Sequence, residues 1–67
     1  MELVPVSNIH GLITTLRFTK VLSYDIRECH LLVYTETPDG HMIVYMTNVT
    51  EPIQESLREE IESLIKE

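Results

Sequence analysis

Sixty-seven residues, with eleven acidic side chains against five basic ones and a net charge of −6, describe one small acidic domain spanning residues 1–67. An acidic surface repels phosphate backbones and anionic membranes, so direct nucleic-acid and membrane binding are not expected. The single cysteine forbids an intrachain disulfide, and a core of this size supplies only about 3–5 kcal/mol, which directs attention to oligomerisation or unusually good packing.

Hydrophobic residues make up 43% of the chain, enough for a folded core. The longest apolar run, Met42-Ile43-Val44-Tyr45-Met46, falls far short of the roughly 20 residues that span a bilayer. Met1-Glu2-Leu3 lacks the basic start and long apolar stretch of an export signal, so a cytoplasmic location is expected.

In chain order, Leu3–Val6 reads as a short edge strand, a place that tolerates Pro5 because proline has no N–H to offer a ladder. From Leu12 to Tyr24, the apolar residues Leu12, Leu16, Phe18, Leu22 and Tyr24 share one parity and Thr15, Arg17, Thr19 and Ser23 the other. This predicts a strand, with a β-bulge at Lys20-Val21 to correct the phase. Ile9, Leu12, Ile13 and Leu16 also fit helical spacing behind a Ser7 or Asn8 cap. Gly11 and the Thr14-Thr15 pair weigh against that helix.

The clearest local signal is a hairpin. Cys29–Thr37 and His41–Val49 are rich in β-branched and aromatic residues and flank Pro38-Asp39-Gly40, the composition of a type I turn closed by a glycine bulge. That loop places Thr37 opposite His41, Thr35 opposite Ile43, Val33 opposite Tyr45 and Leu31 opposite Thr47. One face then carries Leu31, Val33, Ile43, Tyr45 and Val49, with Cys29 and Thr35. The other carries Leu32, Tyr34, Met42, Val44 and Met46, with His30 and Glu36. Two apolar faces are unexpected in a hairpin with one wet side.

The C-terminal segment 51–66 predicts an amphipathic helix, with Thr50 or Glu51 as cap and Pro52 in its first turn. Ile53, Leu57, Ile61, Leu64 and Ile65 form its apolar stripe. Arg58 with Glu62, and Glu62 with Lys66, are spaced to pair. The expected architecture is therefore α+β: an antiparallel sheet of three or four strands, strand-rich over 1–49, with one helix packed on one face.

No chemistry-bearing motif emerges. In the predicted hairpin His30 and His41 lie about 23 Å apart and on opposite faces, so they cannot share an ion. Cys29 next to His30 diverges from it, and no metal-ligand spacing is present. Cys29 reads as a small buried hydrophobe. The two glycines are isolated, so no loop cradles a phosphate, and no serine sits in a nucleophile elbow. Asn48-Val49-Thr50 matches a glycosylation sequon, but Thr50 reads better as a helix cap. Neither a metal nor a cofactor nor a catalytic residue is expected.

The informative feature is the second sheet face. One helix covers one face, which leaves Leu32, Tyr34, Met42, Val44 and Met46 for a partner, with a homodimer the simplest case. Closure of that face by the N-terminal segment 3–13 is the competing expectation. A different activity, an inhibitor occupying the basic nucleic-acid site of a target, would use an acidic ridge of Glu51, Glu55, Glu59 and Glu62, with Asp25 and Glu28 as possible additions. A small enzyme or ligand carrier would need a concave pocket with convergent polar groups.

Overall fold

The structure is a computed structural model that describes residues 2–65. Their order is β1 (Glu2–Pro5), α1 (Ile9–Leu16), β2 (Lys20–Arg27), β3 (His30–Glu36), β4 (Met42–Asn48) and α2 (Glu51–Ile65). The four strands form one sheet in the order β1-β4-β3-β2. The fold is α+β, as the pattern predicts. The sheet is antiparallel except at one edge, where β1 runs parallel to β4.

The hairpin has the expected register throughout, from Leu31 opposite Thr47 to Thr35 opposite Ile43. Gly40 takes the positive φ (+88°) that closes the loop. Its N–H donates to the Thr37 carbonyl at 2.9 Å, and the Thr37 N–H donates to the His41 carbonyl at 2.8 Å. β1 is the expected edge strand. Pro5 lies in it opposite Met46, and Val6 continues the parallel ladder by donating to the Met46 carbonyl at 2.7 Å.

The strand predicted over Leu12–Tyr24 does not form. Its first part is α1, and only Lys20 onward is extended. Local capping decides the matter. The Asn8 side chain accepts from the His10 and Gly11 N–H groups at 3.0 and 3.3 Å, which satisfies two otherwise orphan donors. Thr14 and Thr15 turn their hydroxyls back onto the His10 and Gly11 carbonyls at 3.0 and 2.9 Å, so both remain inside a helix. Burial of Leu12 and Leu16 supplies the tertiary reward. The bulge exists one residue later than predicted, at Leu22 between Val21 and Ser23.

Cys29 is also corrected. The chain reverses between Arg27 and His30, which pair with each other, so Glu28 and Cys29 are the two turn residues. Cys29 is exposed rather than buried. Its carbonyl accepts from the Val49 N–H at 2.9 Å.

The core lies between the helices and one sheet face. Leu12 and Leu16 of α1, Leu57 and Ile61 of α2, and Val21, Leu31, Val33 and Val49 from the sheet side form it, with Ile9, Ile13, Tyr24, Ile26, Tyr45, Leu64 and Ile65 packed at its margin. Within the predicted stripe of α2, Leu57 and Ile61 are buried and Ile53 stays 37% exposed. Two polar side chains are buried, Thr35 and Thr47. The Thr35 hydroxyl donates to the Ile43 carbonyl at 2.8 Å, and every buried side-chain polar atom among the described residues has a partner. Segment 3–13 does not close the second face. Its strand extends the sheet, and its helix joins α2 on the side already covered.

Candidate functional site: the bare face of the sheet

Strand alternation and the observed registers define what the uncovered face presents. Across β1, β4, β3 and β2, one row reads Leu3, Val44, Tyr34, Ser23, and the next reads Pro5, Met46, Leu32, Asp25. Beyond the first row lie Met42, Glu36 and Lys20; beyond the second lie Asn48, His30 and Arg27. The apolar residues occupy β1, β4 and β3. The β2 residues paired into these rows, Lys20, Ser23, Asp25 and Arg27, are all polar, and Leu22, 38% exposed, is the unpaired bulge residue among them.

All five residues predicted for this face are brought together on it. Val44 is only 4% exposed, yet it does not belong to the core cluster. Its neighbours on the bare face shield it: Leu3 and Tyr34 across the ladder, Met42 and Met46 along the strand. Leu32, Tyr34 and Met46 are half-buried, and Met42 is 38% exposed. Leu3, 58% exposed, belongs to the same patch and was not expected there. Alternation within residues 2–5 fixes which side chains share a face, but nothing local says which strand β1 will join.

The charged rim is internally matched. Arg27 Nε lies 2.8 Å from Asp25 Oδ2, and Lys20 Nζ lies 3.8 Å from Glu36 Oε1. Two cations and two anions therefore cancel on this face, so the net charge of −6 resides elsewhere.

Much of it resides on α2. Glu51, Glu55, Glu59 and Glu62 are all exposed. Glu62 is committed to a different role from the predicted pairing with Arg58. Its Oε2 accepts from the Tyr24 hydroxyl at 2.6 Å, which ties α2 to β2. Tyr24 titrates above the ordinary tyrosine value, chiefly because burial disfavours the phenolate. The Glu62 hydrogen bond and charge add to the rise, and Arg58 opposes it. The Glu62–Lys66 pairing lies outside the described residues.

A groove of about 700 Å³ runs between α1 and α2, with Ile9, Ile13, Ile53 and Leu57 along it and His10, Arg17 and Glu60 at its margins. It is open to solvent and lacks a cluster of buried polar groups aimed inward, the feature that marks a reactive pocket. His10, His30 and His41 are exposed. No group of three or more His, Cys, Asp or Glu side chains among the described residues could hold a metal ion. No described helix is long and apolar enough to cross a membrane.

No protein-family model matches the chain, and neither the curated proteins nor the solved structures yield a match. The functional reading therefore rests on the geometry of the surface itself.

Proposed function

We propose that this chain is a non-enzymatic protein–protein interaction or regulatory module that works by burying the bare sheet face, with a homodimer as its simplest form. One observation carries the reading: both helices pack on one side of the sheet, while the other side presents a contiguous apolar patch of Leu3, Leu32, Tyr34, Met42, Val44 and Met46. A sheet face so composed gains free energy when a partner removes it from water, at roughly 25 cal/mol per Å² of apolar surface. Tyrosine and methionine suit the task, since both are enriched at interfaces and methionine adapts its shape to what it meets.

Molar mass in solution tests this, measured for the wild type and for Met46→Glu. A dimer that becomes monomeric on substitution is the expected result. Met46 lies outside the core cluster, so the variant should keep its far-UV circular dichroism. A wild-type dimer unaffected by a charge placed within the patch would sink the reading.

A second reading draws on the exposed ridge Glu51, Glu55, Glu59 and Glu62, which suits an acidic inhibitor occupying a basic nucleic-acid-binding site of a target protein. Affinity for such a target should fall steeply with salt, and charge reversal at Glu55 and Glu59 should abolish it.

A further inference from the structure

We infer that the occupant of the bare face is a second copy of this chain, packed face to face about a two-fold axis that crosses the strands. The inference rests on the reading of that face as the working surface and adds the partner and its register.

Charge selects the partner. Two copies carrying −6 each repel one another at most approaches. The bare face is the exception, because Asp25–Arg27 and Glu36–Lys20 cancel on it. Two such faces meet without bringing net charge together, whereas the glutamate ridge of α2 would meet its own like charges.

Register selects the axis. A two-fold axis in the interface plane has two simple orientations. Along the strands, it exchanges columns. With the axis between β4 and β3, the β1 residues Leu3 and Pro5 of one copy then lie over the polar paired residues of β2 in the other. Across the strands, it keeps the columns and exchanges the rows. Leu3 then faces Pro5, Val44 faces Met46 and Tyr34 faces Leu32 of the partner copy, so in the two central rows apolar residues meet only apolar residues, while Met42 at the rim comes over Asn48. At the rim His30 comes over Glu36 of the second copy. Arg27 comes over Lys20, each already held by its own carboxylate.

Area sets the strength. Three strands of about seven residues and the four-residue β1, about 4.8 Å apart at about 3.3 Å per residue, give a face of roughly 400 Å². That is about half the roughly 800 Å² per partner of a standard interface, so the dimer should be weak and concentration-dependent.

Disulfide trapping in a Cys29→Ser background tests the arrangement. His30→Cys and Glu36→Cys variants, both at rim positions, are mixed and mildly oxidised. The mixture should yield the crosslinked heterodimer as its main product, while either variant alone yields a trace, because His30 of one copy lies far from His30 of the other. Crosslinking of His30→Cys with Asn48→Cys instead would mark the axis along the strands. That outcome overturns the register and leaves the sheet-face dimer standing. A wild-type chain that stays monomeric at high concentration overturns the self-pairing itself. A dimer that forms no crosslink in either mixture and withstands Met46→Glu overturns the underlying reading as well.

Discussion

Asn8 and Gly11 decide the character of the N-terminal third. Asn8 holds the first turn of α1 through two backbone donors. Gly11 sits inside that turn, where nothing in the backbone requires a glycine: its φ is not positive, and a Cβ built there would meet only Asn8 side-chain atoms at 3.8 and 3.9 Å, ordinary contact distances. Glycine costs roughly 0.5–1 kcal/mol in a helix relative to alanine. Gly11→Ala should therefore raise stability by about that amount, read as a higher urea midpoint at unchanged slope. A loss of stability would mean that the helix bends at this residue. The same two residues show why the strand reading of Leu12–Tyr24 failed. Glycine lowers helix propensity by up to about 1 kcal/mol and each threonine by about half a kcal/mol. The cap, worth about 1 kcal/mol, and the burial of Leu12 and Leu16 outweigh them. Phe18, read with the apolar parity of that strand, is instead 84% exposed between α1 and β2, and nothing in the structure explains its exposure.

At the scale of elements, the hairpin and α2 were legible because their signals are local: a turn tripeptide, period-two alternation and a period of 3.6. The β1–β4 pairing was not legible, because a parallel pairing across some forty residues leaves no trace in either strand alone. The attachment of α2 to β2 was equally hidden, since the Tyr24–Glu62 hydrogen bond joins residues 38 apart. Its pH dependence follows from the sign of the shift. Tyr24 has a raised folded-state pKa, so the native chain holds that proton more tightly than the unfolded chain does. The stabilisation is complete below the unfolded value of about 10 and is lost as pH rises through the higher folded value. Denaturation midpoints should thus fall above about pH 10 more steeply in the wild type than in Tyr24→Phe. At neutral pH the substitution should cost about 1 kcal/mol, the worth of one hydrogen bond. Parallel alkaline profiles for the two proteins would remove Tyr24 as the responsible group.

For the whole molecule the decisive feature is a division of labour between two sides. The helix side closes the core and carries acidic α2; the sheet side is apolar and neutral. The five residues of the candidate patch were legible because the turn fixed the hairpin register, and with it which side chains share a face. That both helices would choose the same side was not, since either face is apolar enough to receive a helix. The division predicts an uncommon response to salt. Interfaces held by opposite charges weaken as salt rises, with screening already strong at about 0.15 M. Here the attraction is apolar, and the only long-range force between two copies is the mutual repulsion of −6 charges. Added salt suppresses that repulsion and leaves the apolar contact in place. Sedimentation across a series from low salt to about 0.5 M should show dimerisation constant or tightening. Dissociation on adding salt would mean that charge pairs across the interface, rather than Tyr34, Met42, Met46 and their neighbours, hold the two copies together.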